Sequence, residues 1–388
     1  MAALVAAAGV NRLSAAGFGL AVTGLALAIV VAVAPVVGVI LVSLLRAPTE
    51  ALNGINVLEI GLVSFDAPGV MNLAFLIGGA IWLIRQLRAG VRFWTMPMFW
   101  PMAVLTAMAT ISVVYSADLF FSLRDVFKLS AVLAAYVLLV AARPAFAQIR
   151  LILVATVVSS LYPVALGWWQ FANSIGVNFE KQAGLRIQSV FEHPNTFALY
   201  LVAVLVALFG LRSETDRPLR HLIDAWSLIS FVTLMLPMGR TAWMAAGLII
   251  LVVGWRHRGL FLAAAAAGLT AILVMPRTLE RLLDLFASSE PGTADSVSIR
   301  LDVWTQGLTL WQRKPLTGFG WGTFAGLTDA LAHNDYIRAA VELGIVGFIA
   351  FVALMIALLR AGYRAAKGRD DLPLAFFGFA IAFVIGSA

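Results

Sequence analysis

In Arg300–Leu359, RLDVWTQGLTLWQRKPLTGFGWGTFAGLTDALAHNDYIRAAVELGIVGFIAFVALMIALL, a crowd of Arg, Lys, His, Asp, Asn and Gly residues runs without a break into an apolar stretch, Ile345–Leu359. An apolar run of that kind must satisfy its own backbone hydrogen bonds if lipid surrounds it, and a helix does so. The polar half then reads as the rim of an integral membrane protein. The rest of the chain agrees, because almost everything outside this stretch is lipid-soluble.

Hydrophobic residues make up 62% of the chain and charged ones only 12%, with a mean hydropathy of +0.95. A soluble domain carries about 25% charged residues. In all, apolar runs fall near 15–45, 68–84, 95–115, 126–142, 151–172, 194–211, 222–238, 242–254, 259–276, 337–359 and 372–388. The expected fold class is therefore all-α, a polytopic membrane protein of about 11–12 transmembrane helices. Ala15–Leu45 is too long for the apolar core of a signal peptide and reads as an uncleaved anchor or two short spans. There is no internal repeat, and 1–388 reads as a single transmembrane helical domain.

Basic residues set the expected orientation. Arg85, Arg88, Arg92, Arg143, Arg150, Arg212, Arg217, Arg220, Arg256, Arg258, Arg360, Arg364, Lys367 and Arg369 lie in alternate connections, fourteen in all. The first four opposite connections hold five: Arg46, Arg124, Lys181, Arg186 and Arg240. The positive-inside rule puts the fourteen in the cytoplasm and the long connection 277–336 outside, as one large loop carrying the polar motifs. Within it Thr278–Phe286 has helical spacing, Ala287–Asp295 reads as a linker, and helical spacing resumes from Asp295 with Arg300, Trp304 and Trp311 on related faces. The net charge of +7 belongs to loops that set topology or meet lipid phosphates, not to nucleic-acid binding.

No cysteine is present, so thiolate nucleophiles, disulfides and Cys-ligated metals are excluded, and chemistry falls to His, Arg, carboxylates and hydroxyls. Arg186, Arg240 and Arg300 stand on the outer side against the orientation rule. A guanidinium is always charged and presents a planar fork of donors matched to phosphate, so three converging would hold a diphosphate without a metal; each alone is equally well a snorkelling or locally paired residue. His333, in His-Asn-Asp-Tyr before a helix starting near Tyr336, suits general-base work on a hydroxyl, although a lone His is more often structural. Arg338 and Glu342, one and two turns further on, are supporting candidates that orient His333 or form an intramembrane pair. His193, with Glu192, sits at the mouth of a helix opened by Pro194. It is a second base candidate, with packing at the helix start the plainer reading.

Gly318, Gly320 and Gly322 lie in a segment that only superficially resembles a nucleotide loop, since it follows a helix and lacks the Gly-Lys-Ser/Thr ending. It reads as a tight re-entrant turn approaching a helix or ligand closely. Trp168, Trp169, Trp304, Trp311 and Trp321 fit sugar stacking or an interfacial aromatic belt. Asp66, Asp118, Arg124, Asp125 and Lys128 are either a buried ion cluster or an ion path. The latter is the transporter alternative, which the lack of repeats disfavours. No cofactor is expected, and no metal site.

Taken together, Arg186…Phe191-Glu-His-Pro-Asn-Thr-Phe-Ala, Gly239-Arg240-Thr-Ala-Trp, Arg300-x-x-x-Trp304, Pro315-Leu-Thr-Gly-Phe-Gly-Trp-Gly and His333-Asn-Asp-Tyr…Glu342-Leu-Gly-Ile resemble the O-antigen ligase and O-antigen polymerase superfamily in order and spacing. The resemblance spans roughly 110–360, with Tyr115-Ser-Ala-Asp and Ser122-Leu-Arg included. It implies a GT-C-like, metal-independent, inverting glycosyltransferase of the bacterial inner membrane, with its active site facing the periplasm. The implied partners are an undecaprenyl-diphosphate-linked glycan donor, a lipid A–core acceptor and membrane lipids, with no nucleic acid. Arg186, Arg240 and Arg300 would hold the diphosphate and His333 would activate the acceptor hydroxyl. Many relatives carry Ser where this chain has Gly239, so a hydroxyl role there is not expected. The C-terminal periplasmic region of the protein-glycosylating members is not seen in this chain, which favours a non-protein acceptor. A single dominant outer loop favours a ligase over a polymerase.

Overall fold

The computed structural model describes residues 15–54, 58–60, 63–179, 184–213, 215–254, 257–274, 296–332, 334–368 and 370–387. The protein is an all-α polytopic membrane protein. Among the described residues two short antiparallel strand pairs interrupt the helices, Leu58–Ile60 with Val63–Phe65 and Val177–Phe179 with Gly184–Arg186. Among the described residues six helical stretches are long and apolar enough to cross a bilayer: Pro35–Leu52, Ala67–Arg88, Leu119–Ala142, Phe146–Ala172, Pro194–Arg212 and Asp335–Ala366. Shorter apolar helices cover Phe18–Val33, Phe99–Tyr115, Arg240–Val253, Phe261–Thr270 and Asp371–Gly386. The run expected near 222–238 is different. Its helix spans Arg217–Thr233, and Arg217, Arg220, His221 and Asp224 occupy its first turns, which leaves it too polar for this group.

The helices used below are α1 (Ala15–Val33), α2 (Pro35–Thr49), α3 (Ala67–Arg88), α4 (Phe99–Ser112), α5 (Leu119–Ala142), α6 (Phe146–Ser159), α7 (Leu161–Ala172), α8 (Pro194–Arg212), α9 (Arg217–Thr233), α10 (Arg240–Gly254), α11 (Arg258–Val274), α12 (Ser296–Arg313), α13 (Phe324–Thr328), α14 (Asp335–Ala366) and α15 (Asp371–Gly386). They form two compact units. One comprises residues 1–152, 306–332 and 336–354; the other comprises 153–305, 333–335 and 355–388.

In the first unit, the long run 15–45 becomes two helices because Pro35 cannot donate the hydrogen bond that would carry α1 onward. Arg85 on α3 reaches the Ala32 carbonyl near this break, at 3.1 Å. Leu27, Ala28 and Val31 of α1 pack on Met71, Ala74 and Phe75 of α3 and on Ala134 and Leu138 of α5. Gly78 makes that approach close, since any side chain there would strike the Ala28 carbonyl. Small residues at such crossings are how helices associate in lipid, where burial alone offers little drive. A second core joins Leu105 and Ala109 of α4, Val126 of α5, and Leu343 and Ala350 of α14. Asp66 and Asp118 cap α3 and α5, accepting from Gly69 N at 2.7 Å and Phe121 N at 2.9 Å.

In the second unit α8 is the central helix, with Phe197, Ala198, Leu201, Val202 and Val204 wholly buried. Helices α9, α10 and α15 pack around it. Trp168 and Trp226 donate their indole N–H groups to Thr233 and Ser160, at 2.9 and 3.0 Å. At one end, Arg212 binds Asp224 at 2.5 Å and His257 Nδ1 at 3.1 Å, and His257 Nε2 lies 2.7 Å from Asp371. Arginine has only donors, so His257 Nδ1 accepts and Nε2–H donates to Asp371. This chain of polar contacts ties the end of α8 and the first half of α9 to the starts of α11 and α15.

Candidate active site

The glycine loop of the first unit is positioned by a break in α14. At Gly344 the backbone turns to φ 65°, ψ −165°, and the helix continues beyond it. The carbonyls released there find new donors: Val341 O and Glu342 O accept from Phe319 N and Gly320 N at 3.0 and 2.9 Å, while Ile345 N donates to Pro315 O at 2.8 Å. Gly318 sits at φ +68° against the Glu342 carbonyl, where a side chain would find both strain and a clash. The segment is therefore a tight turn, and what it approaches closely is α14.

Glu342, fully buried, holds the same loop from the side. Its carboxylate accepts from Gly322 N at 2.8 Å, Phe324 N at 3.0 Å and Arg338 Nε at 3.2 Å. Arg338 also lies 3.5 Å from Asp125 and 4.8 Å from the Trp321 ring centroid, a cation–π distance. Asp125 in turn pairs with Lys128 at 3.0 Å. Arg338 and Glu342 thus form an ion pair, and the Glu342 carboxylate holds the glycine loop.

The second unit contains a cavity of about 300 Å³ lined by Asn195, Gly239, Thr241, Arg300, Asp335 and Gly386, among others. Each comes from a different place in the chain. Asn195 is in the first turn of α8, whose start is set by Pro194 and by His193, whose Nδ1 accepts from Asn195 N at 3.1 Å. Gly239 and Thr241 flank Arg240, the first residue of α10. Arg300 is on α12, Asp335 opens α14, and Gly386 closes α15.

The three candidate arginines take different positions here. Arg300 lines the cavity; burial, and after it the charge of Arg240, pushes its pKa down from the ordinary guanidinium value. The two cations are thus close enough to disfavour one another. Arg186 ends the second strand pair, in register with Val177, and is buried. Its Nε donates to Pro237 O at 2.8 Å and its Nη2 to Asn195 Oδ1 at 2.5 Å. Its charge therefore acts one side chain behind the wall, through Asn195. His193 stands near it. Burial first, and then Arg186, lowers the His193 pKa, while Glu192 works the other way. His333 and the segments 278–286 and 287–295 lie outside the described residues, as does Lys181. Among the described residues no three His, Asp or Glu side chains gather as metal ligands would.

Residues 225–352 match the O-antigen ligase family. The match covers about a third of the chain and agrees with the resemblance to the O-antigen ligase and polymerase superfamily. No curated protein matches the chain. The O-antigen ligase match takes in Arg240, Arg300, His333, Asp335, Arg338 and Glu342, whereas Arg186, His193 and Asn195 precede it.

Asn195 and Asp335 were not singled out by reading the sequence, although both stand inside quoted motifs, Glu-His-Pro-Asn and His-Asn-Asp-Tyr. Their adjacency to a candidate His was the available signal. Nothing in the sequence announced Gly386, which reaches the cavity because α15 packs along α10 so closely that a side chain there would strike Thr241.

Proposed function

We propose that the protein is an O-antigen ligase, moving a glycan from undecaprenyl diphosphate to the lipid A–core oligosaccharide on the periplasmic side of the inner membrane. The observation that carries this reading is the gathering of cations at the cavity: Arg300 lines it, Arg240 stands in the chain between the lining residues Gly239 and Thr241, and Arg186 is behind Asn195. A guanidinium presents a planar fork of donors matched to phosphate oxygens, so an anionic ligand such as a diphosphate suits this set.

In the proposed reaction the acceptor hydroxyl attacks the anomeric carbon of the donor sugar, and His333 takes the hydroxyl proton. A new glycosidic C–O bond forms while the bond to the diphosphate oxygen breaks, with inversion. Undecaprenyl diphosphate leaves with the bonding electrons, and the arginines offset the charge that grows on it in the transition state. His333 precedes the cavity residue Asp335 by two positions in the chain, which supports its candidacy.

The test is transfer in reconstituted vesicles supplied with an undecaprenyl-diphosphate glycan and lipid A–core, in EDTA, with His333→Ala as control. Modified lipid A–core in the wild type alone is the expected result. Lengthening of the donor glycan on its carrier, with lipid A–core untouched, makes the protein a polymerase; transfer that stops in EDTA removes the metal-independent mechanism.

A further inference from the structure

The cavity holds a carboxylate as well as a guanidinium, and a diphosphate alone gives no reason for one. Asp335 lines the same space as Arg300, is exposed, and is pinned by its backbone N–H to Ser387 O at 2.7 Å. Among the described residues its carboxylate enters no ion pair, with Arg300 or any other cation. A carboxylate near a diphosphate repels it unless something lies between them that the carboxylate can bind. Ionised carboxylates accept only, so what it binds must donate.

The neighbouring groups narrow the ligand further. Asn195 Oδ1 already accepts from Arg186, so what Asn195 still offers is its amide N–H pair and the second lone pair of that oxygen. Thr241 adds a hydroxyl. A space of about 300 Å³ is at the small end of ligand cavities and suits one ring with its phosphate better than an oligosaccharide. Acceptor, donor, hydroxyl and cation in one small cavity match a sugar phosphate, whose ring presents hydroxyls beside its anionic end.

We infer that Asp335 accepts hydrogen bonds from hydroxyls of the sugar joined directly to the diphosphate, so that the cavity selects the first sugar of the donor as well as its phosphate. This rests on the diphosphate-donor reading above. Asp335 is then a specificity-determining residue, and it distinguishes a glycan-bearing carrier from the bare carrier that leaves.

The experiment measures binding of two lipids to the purified full chain: undecaprenyl diphosphate, and the same lipid carrying one N-acetylglucosamine. Wild type, Asp335→Ala, Asp335→Asn and Arg300→Ala are compared, each first checked for a wild-type melting curve. The expected result is a preference for the sugar-bearing lipid that Asp335→Ala reduces by about 10-fold or more, since a hydrogen bond to a charged group is lost. Asp335→Asn retains part of it through its amide oxygen, and affinity for the bare carrier does not fall in either variant. If Asp335→Ala weakens both lipids equally, or leaves the preference intact, the inference is wrong. Arg300→Ala reports on the underlying reading separately: equal binding of bare carrier with and without Arg300 removes the diphosphate role while leaving the Asp335 result standing. In the transfer assay Asp335→Ala raises donor KM with kcat retained; a fall in kcat at unchanged KM would instead make Asp335 a proton acceptor and overturn the inference.

Discussion

Glu342→Gln is the substitution that most directly tests the reading of the glycine loop. The carboxylate is buried, accepts two loop N–H groups at 2.8 and 3.0 Å, and takes the Arg338 guanidinium at 3.2 Å. Glutamine keeps the shape and one acceptor oxygen, but its NH2 group must face either Gly322 N–H or Phe324 N–H, donor against donor. One buried N–H left unpaired costs roughly 1–3 kcal/mol. Arg338 loses its charged partner on α14 but keeps Asp125 at 3.5 Å and remains about a third exposed, at 32%, so its share is smaller than for a fully buried pair. The total is about 3 kcal/mol, at the low end of what breaking a buried pair costs. The assay is reversible unfolding in bicelles of wild type, Glu342→Gln, Arg338→Met and the double variant. The cycle should give a coupling of about 1–2 kcal/mol, because the two side chains share hydrogen bonds. Loss below about 0.5 kcal/mol for Glu342→Gln, the range of neutral surface changes, would refute the claim that this carboxylate holds the loop.

Other consequences are open to measurement. Gly344→Ala places a side chain at φ +65° against the Leu316 carbonyl, and should lower stability by at least ~1–2 kcal/mol from the backbone alone, read by the same unfolding assay. His193 has its pKa lowered by burial and Arg186, so its contribution is present above pH about 6.5, the ordinary histidine value, and is lost as pH falls through the lowered value. Protonation also removes the Nδ1 acceptor from Asn195 N–H, so a melting series from pH 7.5 to 5 should fall more steeply in wild type than in His193→Asn, whose side chain caps without titrating. Arg300→Gln relieves the opposition between Arg300 and Arg240, so the ligand-free protein should melt no lower than wild type while losing salt-sensitive affinity for undecaprenyl diphosphate. A lower melting point with unchanged affinity would show that Arg300 is structural.

The helical spans were legible because each depends on its own composition. The runs near 68–84, 194–211 and 372–388 became Ala67–Arg88, Pro194–Arg212 and Asp371–Gly386, and Pro194 was visible as the first residue of its helix. The ion cluster was legible only in part. Asp66 and Asp118 proved to be helix caps, whereas Asp125 meets Arg338 from far along the chain, a pairing that spacing within one helix does not reveal. The glycine loop was recognised as a close-approach turn, but its partner, the broken turn of α14 at Gly344, was not.

The sequence by itself determined that this is a helical membrane protein, because hydropathy, proline breaks and glycine turns act within a few residues of where they stand. Only the tertiary structure decided which arginine meets the cavity. Arg300 lines it, Arg186 stands behind Asn195, and the lining is completed by Asp335 and Gly386, which are far along the chain from Asn195. Those neighbours are set by which helix faces bury small residues against one another, and that is a property of packing between segments that no single segment carries.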